Sequence, residues 1–221
     1  MIRIPEPELM DDEAQALAYV NADFEVPHSH FIELFQSQWP AENIVGEVID
    51  LGCGPADISI RFAKAFPDTS VLGVDGAQAM LSHGVTRIQN EGLQERITLE
   101  HCLLPNTDLP FQYFQMVISN SLLHHLHEPQ VLWQSIKQCA APGARVFVMD
   151  LMRPDSEAIA TQMMRDYVSD EPEILQHDFY HSLLAAFTID EVRAQLQQAG
   201  LQGLEVKAIS DRHLLIAGEM G

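Results

Sequence analysis

The stretch from Val48 to Asp75 constrains the fold more tightly than any other part of this chain. It opens with Val48-Ile49-Asp50-Leu51-Gly52-Cys53-Gly54-Pro55-Ala56-Asp57 and closes with Val71-Leu72-Gly73-Val74-Asp75-Gly76. Each end begins as a short apolar run, the pattern of a parallel strand covered on both faces. Between them Ile58, Phe62 and Phe66 recur at i, i+4 and i+8, one face of a helix that Pro67 ends. Strand, glycine turn, helix and a second strand closing on an acid make a βαβ nucleotide-binding unit. Gly52 and Gly54 let the main chain approach a ligand where a Cβ would clash. Asp75, at the tip of the second strand, can accept hydrogen bonds from both hydroxyls of a ribose.

The turn is not a dinucleotide fingerprint. That motif runs G-x-G-x-x-G and seats a pyrophosphate on the helix N-terminus. Here Asp57 stands at the helix start and Asp50 just before the turn, so an anionic pyrophosphate is repelled while a ligand with a cationic portion is not. An NAD-dependent oxidoreductase is disfavoured on this ground.

The rest of the chain extends the alternation. Residues 8–40 read as two helical segments broken around Asn21–Pro27, the second with a docking stripe of Phe31, Leu34, Phe35 and Trp39. Residues 40–43 lead into the first strand. A helix with Met80, Leu81 and Ile88 follows Asp75, then strands at Ile97–Cys102 and Phe114–Ser119, a helix from Pro129, and a strand at Ala144–Met149. This βαβαβαβαβ order predicts a doubly wound, mostly parallel seven-stranded α/β sheet with right-handed crossovers. Thr188-Ile-Asp-Glu191 is a capping box for a helix that Gly200 ends. Glu205–Ser210 and His213–Ala217, joined at Asp211-Arg212, read as a C-terminal antiparallel hairpin.

Residues 151–187 break the alternation. Asp155 is placed to cap a helix bearing Ile159, Met163 and Tyr167, and Pro172 to start one bearing Leu175, Phe179 and Leu183. An insertion here lies beyond the carboxyl ends of the strands, where ligands bind, and is expected to form a lid. The chain thus reads as a single domain over 1–221, with an N-terminal helical cap at 1–43.

The 221 residues suffice for one well-buried α/β domain, and the 47% hydrophobic content fits a globular core. Thirty-two acids against twelve Lys/Arg give a formal charge of −20, a field that repels phosphate backbones and makes nucleic acid an unexpected substrate. Cys53, Cys102 and Cys139 lie far apart with no C-x-x-C, and the acidic, proline-broken N-terminus is no secretory signal. No run of 18 apolar residues occurs. A cytoplasmic protein with no membrane partner is expected; the sequence sets no oligomeric state.

From residue 44 to 217 the order of features resembles the class I S-adenosylmethionine-dependent methyltransferases, in their small-molecule branch. The matching strings are Val-Ile-Asp-Leu-Gly-Cys-Gly-Pro at 48–55, Gly-Val-Asp at 73–75 and Leu-Pro-Phe at 109–111. Ser-Leu-Leu-His-His-Leu at 121–126, Ala-Pro-Gly-Ala at 141–144 and Phe-Thr-Ile-Asp-Glu-Val at 187–192 also match. The resemblance implies S-adenosyl-L-methionine as cofactor and a small-molecule methyl acceptor. It implies that Gly52, Cys53 and Gly54 flank the methionine moiety above Asp50, that Asp75 holds the ribose, and that Gly76 and Met80 line the adenine. Cys102 and Leu103 would lie at the adenine edge, Asn120 at the methionine end, with Tyr19 closing over the cofactor. Two departures stand out: Cys102 offers no acid for the adenine amino group, and Gln115 replaces the acid common at the start of the fourth strand.

Methyl transfer needs alignment of the nucleophile, and a base where that nucleophile must lose a proton. Histidine suits the role. His124 follows the fourth strand, and His181 stands on the insertion with Tyr180 beside it; these three are the candidate catalytic residues. His124-x-x-His127 and His177-x-x-x-His181 have ligating spacings, but no nearby acid pair in the sequence completes a set, and no metal site is assigned. The fourth strand leads into Ser119-Asn120-Ser121-Leu122 rather than the Asn/Asp-Pro-Pro-aromatic string of nucleobase and amide N-methylation. The acceptor atom stays open, as does a second reading: a cofactor-binding regulatory partner without catalysis of its own.

Overall fold

A computed structural model describes residues 1–6, 9–40 and 43–221; Ala41 and Glu42, within the expected lead to the first strand, lie outside it. Seven strands form one sheet in the order β3-β2-β1-β4-β5-β7-β6. These are β1 (Gly46–Leu51), β2 (Thr69–Asp75), β3 (Ile97–His101), β4 (Phe114–Asn120), β5 (Ala140–Leu151), β6 (Leu204–Ala208) and β7 (His213–Glu219). β1 to β5 run parallel, and β7 inserts antiparallel between β5 and β6. The doubly wound sheet and terminal hairpin stand as the alternation predicts. The hairpin turn is longer than two residues: it spans Ile209–Arg212, and the Ile209 and Ser210 amides both donate to the His213 carbonyl.

Helices cover both faces. α1 (Glu13–Asn21), α2 (Glu25–Gln38), α3 (Asp57–Ala65) and α4 (Gln78–Asn90) precede β3, and α5 (Gln130–Cys139) joins β4 to β5. α6 (Glu157–Val168), α7 (Glu173–Ala185) and α8 (Ile189–Ala199) follow β5. On one face Phe31 and Phe35 of α2 interlock with Phe62 and Phe147, the Phe35–Phe62 and Phe31–Phe147 rings meeting edge-on at 4.9 Å. On the other face Leu132, Trp133 and Ile136 of α5 pack with Val192 and Leu196 of α8. Trp133 buries its indole and still satisfies it, Nε1 donating to Gln195 Oε1 at 3.1 Å.

Local chemistry sets the helix ends. The capping box forms, with the Thr188 hydroxyl accepting from the Glu191 amide and the Glu191 carboxylate from the Thr188 amide; Gly200 ends α8 in the left-handed region. Ser156, not Asp155, caps α6, its hydroxyl accepting from the Ile159 amide. The strand expected at Ala144–Met149 runs as β5 from Ala140, and Ala141-Pro142-Gly143 within it coincides with a slip in register: β4 pairs at Phe114↔Ala140, then resumes at Met116↔Arg145. Among the described residues no helix is long and apolar enough to cross a membrane.

Two segments outside the sheet reach its carboxyl edge. α6 and α7 pack on each other over Leu151, Ala160, Met163 and Leu183. The first six residues thread beneath α7, where the Ile4 amide donates to the Leu184 carbonyl at 3.0 Å. Arg3 binds the carbonyls of Ala185, His124 and Leu126, and lies 4.0 Å over the Phe187 ring.

Candidate active site

A cavity of about 390 Å³ runs along the carboxyl ends of β1, β2, β4 and β5, roofed by α1, α6 and α7. A volume of that size suits a small ligand. Its floor is the glycine turn. Gly52 sits at φ +73, and a Cβ there would lie 2.8–3.0 Å from side-chain carbons of Leu122. Gly54, at φ +52, faces open space. Both positions require glycine, one for packing and both for conformation.

Asp75 closes the turn as well as facing the cavity. Its Oδ2 accepts from the Gly54 amide at 2.7 Å and its Oδ1 from the Ala77 amide at 2.7 Å. Burial raises its pKa, and these two donors oppose that. Asp50, 1% exposed, accepts from the Ser59 hydroxyl at 2.6 Å; burial pushes its carboxyl up to about 7. Burial likewise holds the Cys53 thiol far above its ordinary range, so it is unreactive. Asn120 carries the clearest sign of an absent partner. Its buried Oδ1 has no hydrogen-bond partner among the described residues, and the side chain lines the cavity.

The expected cofactor residues gather around one volume: Tyr19, Asp50, Gly52, Cys53, Gly54, Asp75, Gly76, Met80, Cys102, Leu103 and Asn120 all line the cavity. Tyr19 packs 4.6 Å from Phe24, and burial beside the acids Asp57 and Asp75 raises its phenol to about 12, keeping it a neutral donor. Cys102 Sγ accepts from Asn106 Nδ2 at 3.2 Å.

Two sequence expectations need correction. Asp57 does not present a free charge at the helix start, because it is ion-paired to Arg61 at 2.7 Å, to His28 at 2.6 Å and to Arg87. Burial works against its ionised form, but these partners prevail and hold its pKa well below the ordinary range. Repulsion by Asp57 therefore gives no ground for excluding a pyrophosphate; the antiparallel β7 still separates this sheet from the dinucleotide-binding type.

The second correction concerns the lid. The face of α7 turned to the cavity carries Leu175, Asp178, Phe179 and Ser182, at i, i+3, i+4 and i+7; His181 and Tyr180 are not in the cavity wall. Tyr180 packs with Leu151, Met163 and Leu183, and the His181 ring lies 4.2 Å from that of His177. One step of about 100° round the helix separates the cavity face from His181. His124 does line the cavity but is otherwise engaged: Nδ1 is 2.6 Å from Asp150 Oδ1. Burial lowers its pKa, yet Asp150 and Glu6 outweigh burial and the net shift is upward.

Sequence reasoning missed one part of the wall. Tyr167, Arg212 and His213 line it. The Arg212 guanidinium stacks 3.4 Å from the Tyr167 ring, whose hydroxyl donates to Asp211 at 2.6 Å. Burial and Arg212 depress His213 to about 4, so it stays neutral at pH 7. The signal lay in the hairpin: an antiparallel final strand begins at the edge where the parallel strands end, and Leu151 pairs with His213.

Comparison with known proteins agrees with this geometry. Residues 48–143 match the family model described as a methyltransferase domain. The chain is 26% identical over 156 residues to a trans-aconitate 2-methyltransferase of Yersinia pseudotuberculosis, covering 62% of this chain and 55% of that protein. It is 27% identical over 164 residues to an arsenite methyltransferase of Halobacterium salinarum, covering 72% of this chain and 38% of that protein. It thus spans roughly half or less of the length of these relatives. A crystal structure of an S-adenosylmethionine-dependent methyltransferase from Aquifex aeolicus shares the fold, with TM-score 0.67 and 14% identity over 95% of this chain and 99% of that one. Glycine turn, strand order and family match converge: residues 48–143 carry a methyltransferase domain, and the seven-stranded sheet has the fold of solved S-adenosylmethionine-dependent methyltransferases.

Proposed function

We propose that this protein moves the methyl group of S-adenosyl-L-methionine to a small molecule held beneath α6 and α7. The observation that carries this reading is one cavity joining the Asp75 turn to the Tyr167, Arg212 and His213 wall. The residues present suit the cofactor: Asp75 for ribose hydroxyls, Asp50 and the unpartnered Asn120 Oδ1 for the ammonium, Met80 and Leu103 for the adenine faces. When bound, the cofactor supplies a methyl carbon on a sulfonium. An acceptor lone pair placed in line with that carbon would take the methyl group and leave S-adenosylhomocysteine, which Asp75, Asp50 and Asn120 would hold.

The chain's own part is alignment and exclusion of water. Phe179 and Leu175 dry the acceptor side, and ordering the two reactants can supply roughly 7–11 kcal/mol of the barrier. Arg212 gives that end a positive group for a carboxylate or phenolate, in keeping with the carboxylate-bearing acceptor named for the Yersinia relative. Neutral His213 can accept a hydrogen bond from an acceptor hydroxyl. His124 acts as a positioning residue for the loop after β4, and residues 151–187 act as a lid.

Methyl-labelled cofactor offered to pools of small carboxylates, phenols and thiols tests the reading. A labelled product is expected, with Arg212→Ala raising KM for an anionic acceptor by roughly tenfold or more. Tight binding of S-adenosylhomocysteine with no labelled product in any pool would overturn catalysis and favour a regulatory cofactor-binding protein.

A further inference from the structure

We propose that Glu6, His124 and His125 hold a divalent transition cation of the zinc type in the cavity wall. The sequence alone supplies no acid beside this histidine pair; the fold brings one from the far end of the chain. Glu6 Oε1 lies 3.7 Å from His124 Nε2 and 3.4 Å from His125 Nδ1, and one ligand atom from each residue fits within 4.8 Å of the others.

These separations discriminate between two readings. A charge-assisted hydrogen bond from a histidine nitrogen to a carboxylate closes to about 2.7–2.9 Å. Neither contact is that short. Ligands at about 2.0–2.2 Å from a tetrahedral cation stand about 3.3–3.6 Å apart along each edge. The 3.4 Å gap matches the edge of a coordination shell and the 3.7 Å gap lies just beyond it, while both exceed a direct hydrogen bond.

The surroundings are built for such an ion. Asp150 engages His124 Nδ1 at 2.6 Å, which fixes the tautomer that leaves Nε2 as the ligand, the carboxylate–histidine support usual at metal sites. Asp150 itself is locked by the Leu123 and Leu151 amides, both donating at 2.7 Å. Glu6 is held by the Ser182 hydroxyl on Oε1 at 2.9 Å, and His127 Nε2 meets its carbonyl oxygen at 2.7 Å. Arg3, bound to the His124 carbonyl, fixes the register of the N-terminal segment.

Charge favours a cation too. Glu6 and Asp150 act on the His124 imidazole, Asp178 lies near Glu6, and the Arg3 guanidinium opposes them. Two nitrogens and one oxygen suit zinc or cobalt rather than magnesium, which prefers oxygen. Both histidines line the cavity, so a remaining coordination position faces the acceptor space. On the methyltransferase reading proposed above, this position would take a hydroxyl or carboxylate oxygen of the acceptor and set its angle to the methyl group.

Cobalt(II) titrated into the chelator-treated full chain, followed by visible absorption, tests the site. One equivalent should bind, zinc should displace it, and magnesium should not. Glu6→Gln and His125→Gln should each weaken binding by roughly tenfold or more, while His177→Ala on the outer face of α7 should change nothing. Two variants guard against one that fails to fold, with thermal melting as the check. No cobalt spectrum, or binding lost in His177→Ala and kept in Glu6→Gln, would overturn the site. S-adenosylhomocysteine titrated into the same samples separates the two ideas, since cobalt binding without it would sink only the methyltransferase reading.

Discussion

Gly54 and Asp75, 21 residues apart in sequence, are joined by a 2.7 Å hydrogen bond from the Gly54 amide to Asp75 Oδ2. The acid expected to hold a ribose is therefore also the bracket that shapes the glycine turn. Its oxygens retain lone pairs for a ligand, but the carboxylate is part of the floor before any ligand arrives.

Asp75→Ala should in consequence do two things. It should weaken S-adenosylhomocysteine binding at least tenfold in titration calorimetry, and it should also lower the melting temperature, because the Gly54 and Ala77 amides lose their acceptor at about 1–3 kcal/mol each. Asp75→Asn keeps one acceptor oxygen and should fall between. Unchanged affinity in Asp75→Ala would remove this residue from the ribose site.

Asp50 makes stability depend on pH with a definite sign. Its folded value is raised to about 7 by burial, whereas an unfolded Asp titrates near about 3.9. Between these values the folded chain binds the extra proton, so its contribution to stability falls as pH rises from about 4 to 7 and is flat above. Denaturant melts of Asp50→Asn should lack that component relative to the parent protein. If the cofactor ammonium sits beside Asp50, affinity should rise with pH up to about 7 in the parent and lose that dependence in Asp50→Asn.

Phe179 and His181, two residues apart on α7, should behave oppositely. Phe179→Ala opens the acceptor side of the cavity and should raise KM for the acceptor several-fold. His181→Ala should leave turnover within about twofold, since its ring faces His177 rather than the cavity. A loss of about a hundredfold in His181→Ala, the scale of a missing general base, would restore the lid-base idea.

Asp57 anchors α2 and α4 to the start of α3 through His28, Arg87 and Arg61. Asp57→Ala leaves Arg87 and the His28 ring without this partner in a partly buried pocket, while Arg61 keeps Glu25, and a loss on the order of 3 kcal/mol is expected in urea melts. Because its pKa is depressed, the stability it adds is present above about pH 4 and disappears as pH falls through the folded value. A melt that is unmoved by the substitution would show the network to be dispensable.

The architecture was legible in the sequence because its signals are local. Apolar runs, the helix period, the glycine turn and the Thr188–Glu191 capping box each act within a few residues, and they fix the order of strands and helices. The floor of the cavity came with them, since Gly52, Gly54 and Asp75 belong to one βαβ unit. α6 and α7 were legible as helices, but which face meets the cavity was not. The α7 sequence offers His181 and Phe179 equally, and only the packing of α7 against α6 and β5 sets Phe179 in the cavity wall.

What the tertiary structure alone decided are the meetings across long sequence distance. Asp57 reads as a bare acid until folding brings His28 and Arg87 to it. Glu6 and His124 are 118 positions apart, from 6 to 124, and meet only because Arg3 seats the N-terminal segment on the loop after β4. Arg212 and His213 enter the site because β7 runs antiparallel and begins at the sheet's ligand-binding edge. Periodicity and turn chemistry specify how a segment folds; which charges end up facing one another depends on chain closure, and no local pattern encodes that.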